Sequence, residues 1–183
     1  MKRQIKDDFV IECVKGDITG QPDIDVIVNA ANKLLAPGGG VAGAIHKKAG
    51  PLLYQECKKY APIETGQAVI TKGYNLPNPF VIHTVGPVYS EEKSPAEKLA
   101  MCFKNSLKLA DEKGLKSIAF PAISTGIFGY PVEEAAEVSI KAVIGMIPGL
   151  KSVKKIRFVL FDENTFNVFH KKLREIYEGK GNT

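Results

Sequence analysis

Two stretches of this chain combine small residues with the polar groups needed to hold a phosphorylated ligand: NAANKLLAPGGGVAGAI at 29–45 and PAISTGIFGYP at 121–131. Glycine lets a main chain approach a ligand with no Cβ in the way. Successive exposed N–H groups at the start of a helix add a partial positive charge suited to a diphosphate. Two such runs predict a phosphate-binding cleft. Gly38, Gly40 and Gly43 satisfy GxGxxG, the dinucleotide fingerprint, but residues 31–37 separate them from the preceding apolar run. No strand ending in an acidic ribose ligand follows about 20 residues later, where the fingerprint requires one; Glu64 stands there inside APIETGQ, a turn. A GxxxxGKS or GxxxxGKT run is also missing. The pattern therefore argues against hydride transfer and against nucleoside triphosphate hydrolysis.

Other chemistries are poorly served. His46, His83 and His170 are far apart, and none belongs to HExxH or a Cys/His ligand cluster, so no metal is expected. His83, within FVIHTVGP, reads as a satisfied core histidine on a strand; His46, just after the glycine run, is the better candidate for a functional histidine. Ser124, His83 and Asp17 supply the residue types of a nucleophilic triad, but GxSxG is absent.

The elements that must position these runs follow from hydrophobic pattern. Residues 9–14, 25–30, 68–72, 80–85, 117–123 and 155–161 read as six strands. DVIVNAA, SIAFPAI and IRFVLF are apolar enough for central strands covered on both faces, whereas FVIECVKGD alternates as a more exposed strand does. AGAIHKKAGPLLYQECKKYA is helical in tone, with Gly50-Pro51 breaking or kinking it. A helix starts at Ser94, with Pro95 in its first turn and Glu97 completing a capping box. Leu99, Cys102, Phe103, Ser106, Leu107 and Ala110 form its apolar face, and Gly114 stops it. Another starts at Pro131, carries Ala135, Val138, Ala142, Val143 and Met146 on its buried stripe, and ends at Pro148-Gly149. The last, over 165–178, spaces Phe166, Phe169, Leu173 and Ile176 as a helix would. Strands interleaved with helices predict an α/β sandwich. Both glycine-bearing runs fall at carboxyl ends of central strands, where such folds bind ligands.

With 183 residues and 44% hydrophobic content, the chain is expected to be a single domain over 1–179 with a disordered tail at 180–183. Cys13, Cys57 and Cys102 have neither disulfide-framework nor CxxC spacing, which suits a reducing cytoplasm. The N-terminus turns acidic before an apolar segment can form. No run approaches the roughly 20 apolar residues of a membrane span, so neither export nor a membrane is expected. The formal charge of +5 suits an anionic ligand and leaves nucleic acid open as a partner, but Lys and Arg are spread along the chain among Asp and Glu and lend it no support. The densest basic stretches, 151–157 and 170–174, read as solvated faces or helix ends.

Taken in order, GDIT at 16–19, VIVNAAN at 26–32, GGGVAGAIH at 38–46, VIHTVGPVY at 81–89, SIAFPAISTGIFGYP at 117–131 and FVLFDEN at 158–164 make a chain that closely resembles the macro domain family of ADP-ribose-binding modules and ADP-ribosyl hydrolases. The resemblance implies a three-layer α/β/α sandwich with a mixed six-stranded sheet and a cleft for ADP-ribose, with no cofactor. It implies that Asp17 accepts a hydrogen bond from the adenine amino group, with the Ile18 N–H beside it, and that Phe161 contacts the adenine ring. Asn32 would stand at the distal ribose as the catalytic side chain, with Asn29 bracing the loop through backbone groups. Gly38, Gly39, Gly40 and Val41 would pass beneath the diphosphate and distal ribose; Ser124, Thr125, Gly126, Ile127 and Phe128 would close the other side. Partners implied are ADP-ribose or a related metabolite and ADP-ribosylated protein.

The same resemblance implies hydrolysis of mono-ADP-ribosyl esters on acidic side chains, together with deacetylation of O-acetyl-ADP-ribose. The alternatives are a non-catalytic reader, a phosphatase acting on ADP-ribose 1″-phosphate, and a nucleic-acid-associated module. One hydrolytic subgroup has aspartate after the glycine-valine step, where this chain has Ala42; other hydrolytic members share GGGVA, NAAN and GIFG with it.

Overall fold

The computed structural model describes residues 2–4 and 9–178. The six expected strands form as β2 (Val10–Lys15), β3 (Val26–Ala30), β4 (Ala68–Lys72), β5 (Phe80–Thr84), β6 (Ser117–Phe120) and β7 (Lys155–Leu160). A seventh, β1 (Lys2–Gln4), pairs antiparallel with β2 at the edge. The sheet order is β1-β2-β7-β6-β3-β5-β4. The β2/β7, β7/β6, β6/β3 and β3/β5 pairs are parallel, and β4 closes the other edge antiparallel to β5. Five parallel strands thus end at one edge of the sheet, the edge where an open α/β sheet collects ligands.

Helices α1 (Gly40–Ala49) and α2 (Pro51–Cys57) are separate because Gly50, at φ 88, turns the chain and Pro51 begins a new first turn. Together they cover one face of the sheet. Helices α3 (Pro95–Glu112), α4 (Val132–Met146) and α5 (Glu163–Glu178) cover the other. Period-two alternation sorts the strand residues: Val26, Val28, Ile118, Phe120, Ile156 and Phe158 join the α3–α5 core, whereas Ile27, Val81, Ala119 and Val159 join the α1–α2 core. All six residues expected on the inner face of α3 are buried. Phe103, Phe120, Phe158 and Phe169 form a continuous aromatic core there, with ring centroids 4.8 to 6.1 Å apart.

Several expectations are corrected. Ser94 is the N-cap of α3 but forms no side-chain cap hydrogen bond, so the capping box with Glu97 is not made. Pro131 sits at the N-cap of α4 rather than inside it, and a 3-10 turn at Ile147–Gly149 carries its end. Strand β6 stops at Phe120, since Pro121 lacks the N–H a ladder needs. The 151–157 stretch is not simply solvated: Arg157 is buried, its Nε donating to Glu12 (2.9 Å) and its terminal nitrogens to Gln21 (2.9 Å) and both oxygens of Asp23 (2.8 and 2.7 Å). The predicted tail at 180–183 lies outside the described residues. Among the described residues no helix is long and apolar enough to cross a membrane, and no cluster of three or more His, Cys, Asp or Glu could hold a metal.

Candidate ligand-binding groove

At the carboxyl edge of the parallel strands runs a groove in two halves, about 380 and 370 Å³, joined at Gly40, Val41, Ala122 and Gly126. The first half is lined by Asp17 and Ile18 after β2, Val159, Phe161 and Asp162 around the end of β7, and Thr125 and Thr165. The second half is lined by Ala30 and Ala31 after β3, by Gly39 and Gly86, and by Ile123, Ser124, Ile127 and Phe128. Strand ends and the two glycine-bearing loops, 29–45 and 121–131, meet here because the strands that carry them run parallel.

The central lining is main chain. The first turn of a helix has no internal acceptors for its N–H groups. Accordingly, the N–H groups of Gly39, Gly40, Val41 and Ala42 have no acceptor among the described residues, and those of Gly126, Ile127 and Phe128 on the opposite loop also have none. Two arcs of donors therefore flank the junction, an arrangement suited to an anion. The glycines serve specific purposes: Gly40 has φ 56, and a Cβ on Gly43 would strike the Gly38 carbonyl oxygen. On the other side, Gly86 allows close contact with Ser124, itself at φ 68.

The ends of the groove differ chemically. Asp17 Oδ1 accepts both the Thr19 N–H (2.8 Å) and the Thr19 hydroxyl (2.7 Å). Those bonds, the hydroxyl foremost and with Lys48 assisting, hold its carboxyl below the ordinary range, so it stays ionised. Phe161 is 81% exposed and Ile127 99% exposed, two apolar side chains at the mouth without cover. The lining of the second half contains no titratable side chain, and neither half is lined by Lys, Arg or His. The groove can thus hold an anion at its centre, an amino donor at Asp17 and a flat ring against Phe161. It offers a general base to nothing in its second half.

Of the expected site residues, Asp17, Ile18, Gly39, Gly40, Val41, Ser124, Thr125, Gly126, Ile127, Phe128 and Phe161 are brought together; Gly38, Asn32 and Asn29 do not line either half. Phe161 follows β7 instead of ending it. Asn32 stands behind Gly38, donating its amide to the Ala36 carbonyl (2.9 Å) and accepting the Ala36 N–H (3.0 Å). Asn29 is corrected outright. It shares the face of Ile27, is fully buried, and its amide pairs with His83 Nδ1 at 3.0 Å in place of the expected bracing of loop backbone. His83 is a core residue: its Nε2 faces Thr71 Oγ1 at 2.9 Å, which engages both ring nitrogens and leaves none for Ser124. His46 is also buried, on the inner side of α1 itself, and lies outside both linings. Ala42 faces the protein interior.

Sequence reasoning missed Asp162 and Thr165. Asp162 accepts the Thr165 N–H (2.8 Å) and hydroxyl (3.0 Å), an N-cap whose signal was aspartate three residues before threonine at the start of a helical pattern.

A model of the Macro domain matches residues 28–139. Over 167 residues the chain is 47% identical to a Klebsiella pneumoniae O-acetyl-ADP-ribose deacetylase, the match covering 88% of this chain and 95% of that protein. It is 46% identical over 170 residues to a Xenopus laevis ADP-ribose glycohydrolase, covering 91% of this chain and 40% of the longer relative. The solved structure of an Oceanobacillus iheyensis macrodomain with ADP superposes with a TM-score of 0.93 at 41% identity, over 98% of this chain and 97% of that one.

Proposed function

This chain belongs to the macro domain family, and from that premise we propose that its groove binds ADP-ribose and hydrolyses mono-ADP-ribosyl esters of acidic side chains, with O-acetyl-ADP-ribose as a second substrate. The observation that carries the reading is the pair of N–H arcs, Gly39–Ala42 by position and 126–128 opposite, at the junction of the halves. A diphosphate spans such a junction; the groups on either side of it then fall in separate halves. Adenine lies in the first, its amino group donating to Asp17, the Ile18 N–H beside it and its ring against Phe161. The distal ribose lies in the second, near Phe128.

Asn32 serves two purposes in this reading. Each amide has two N–H bonds and two carbonyl lone pairs. The Ala36 clamp uses one of each and fixes the loop that carries residues 37–41, while the second N–H remains for a ribose hydroxyl. Water held between the diphosphate and the anomeric carbon adds there. The ester oxygen departs with the freed carboxylate, and the water proton passes to a phosphate oxygen. Substrate-assisted activation is favoured because the second half has no side-chain base. The same feature supports the competing reading, a reader that binds without turnover. A terminal phosphate at the distal ribose would meet no cationic side chain, which weighs against the phosphatase.

Time-resolved release of ADP-ribose from a protein mono-ADP-ribosylated on an acidic residue tests the reading, with free ADP-ribose affinity measured on the parent and on Asn32→Ala. The expected result is release by the parent, with turnover in the variant reduced at least about tenfold and affinity only a few-fold, the signature of an interaction made in the transition state. Binding without release makes the protein a reader; equal losses assign Asn32 to binding.

A further inference from the structure

The turn that carries Asp17 is anchored from two sides. Its own bonds give it shape: the Thr19 N–H and hydroxyl donate to Asp17 Oδ1, and the Gly20 N–H donates to the Asp17 carbonyl at 3.0 Å. Gln21, buried, ties that carbonyl to the sheet. Its Nε2 donates there at 2.9 Å, while its Oε1 accepts from Arg157 of β7 at 2.9 Å. The other anchor comes from α1, where Lys48 Nζ, in the last turn, donates to the Thr19 carbonyl at 2.8 Å. This is the helix whose first turn supplies the Gly39–Ala42 arc, and Gly40, Val41 and Ala44 line the same half of the groove as Asp17 and Ile18. A single helix of 10 residues therefore meets the diphosphate at its start and holds the Asp17 turn from its end.

Resting on the ADP-ribose reading above, we infer that Lys48 is a positioning residue for adenine selection. Through the Thr19 carbonyl it sets Asp17 against α1, so that one ligand reaches the carboxylate with its adenine amino group and the N–H arc with its diphosphate. An ionised carboxylate only accepts hydrogen bonds: an amino group satisfies it, whereas a carbonyl oxygen at the same ring position meets it lone pair to lone pair. Selection thus depends on where the carboxylate stands as well as on its presence. Without the Lys48 donor the turn keeps its internal bonds and the Gln21 anchor but loses its tie to α1. The amino group then contributes less, while the backbone donors still hold the diphosphate. Lys48 is exposed, so its replacement spares both cores.

The test is calorimetry with ADP-ribose and with its hypoxanthine counterpart, in which a carbonyl oxygen replaces the amino group, on the parent, Lys48→Met and Lys48→Arg. Methionine keeps the helix propensity and much of the aliphatic stem but removes the donor; arginine keeps a donor. A thermal melt of each variant checks folding. The parent should prefer ADP-ribose by about tenfold or more, the scale of one hydrogen bond to a charged group. In Lys48→Met the preference should fall to about threefold through weaker binding of ADP-ribose alone, and Lys48→Arg should hold it near the parent's. An unchanged preference in Lys48→Met overturns the inference. So does an equal loss for both ligands, which would make Lys48 a general support of the groove. A preference near one in the folded parent overturns it as well, since Asp17 would then read no amino group. Failure of the folded parent to bind ADP-ribose at all would instead sink the underlying reading, and this inference with it.

Discussion

Gly43→Ala sets two opposing effects against each other. The residue lies in the first turns of α1, where alanine is the better helix former by about 1 kcal/mol. Its new Cβ, however, would be driven into the carbonyl oxygen of Gly38, with the carbonyl carbon at 3.4 Å. Both atoms are main chain, so no side chain can rotate away, and residues 36–39 must retreat against the Asn32 clamp on Ala36. Overpacking of this kind costs typically 1–3 kcal/mol, leaving a net destabilisation of about 0–2 kcal/mol. The effect on ligand is larger, since the retreating segment leads into Gly39 and Gly40, whose N–H groups form one arc. Loss of one hydrogen bond to a charged phosphate costs about 1.5–3 kcal/mol, roughly ten- to hundredfold in the dissociation constant. Calorimetric titration with ADP-ribose beside urea unfolding reads both quantities. Gly145→Ala, in α4 and outside the groove lining, is the control, because nothing lies within 4 Å of its added Cβ. An unchanged affinity in Gly43→Ala, with stability raised, would show that the loop accommodates the methyl group and that its position does not govern binding.

Three further outcomes are expected. Phe161→Ala should leave stability within about 0.5 kcal/mol, its ring being 81% exposed, yet weaken ADP-ribose binding by about 1 kcal/mol; a loss of stability without loss of affinity would remove the ring from the site. Arg157→Ala leaves the buried Glu12 with only the longer contact to Lys155, at 3.7 Å, and should cost about 3 kcal/mol in denaturant titration, much of it recovered when Glu12→Leu is added. Burial depresses His83 to about 3 against about 6.5 in an unfolded chain. Between these values the unfolded chain binds the additional proton, so stability is fully present above about pH 6.5 and lost as pH falls toward 3, by about 1.4 kcal/mol per unit. Urea midpoints at pH 7 and 5 that coincide would contradict a neutral buried imidazole.

How far the sequence reached depends on the kind of signal. The α3 face was legible to the residue because helical periodicity and burial are one and the same pattern there. Strand β1 was not, since three residues, KRQ, give no alternation and owe their conformation to the β2 edge. The two glycine-bearing runs were legible as strand-end loops by pattern, whereas Asp17, Ile18 and Phe161 were named only through the family resemblance. Asn29 was misplaced although period two puts it on the face of Ile27, toward α1 and α2. The strand was read through residue 30, but the resemblance assigned its asparagine to the loop that follows. Asp162 escaped because, although its capping role is a local pattern, its place in the groove is set where the end of β7 meets the end of β2, a long-range fact.

That the anion cradle is built from peptide N–H groups determines how it can be dissected and how it can change. Conventional side-chain truncation at Val41, Ile127 or Phe128 removes contacts around the donors and leaves the donors themselves in place. Only amide-to-ester exchange, or an intruding Cβ, would silence one. The same insulation frees the rim. Residues at the mouth can drift toward new aglycones while affinity for the shared diphosphate persists, so ligand class and substrate preference are encoded by separate parts of the chain.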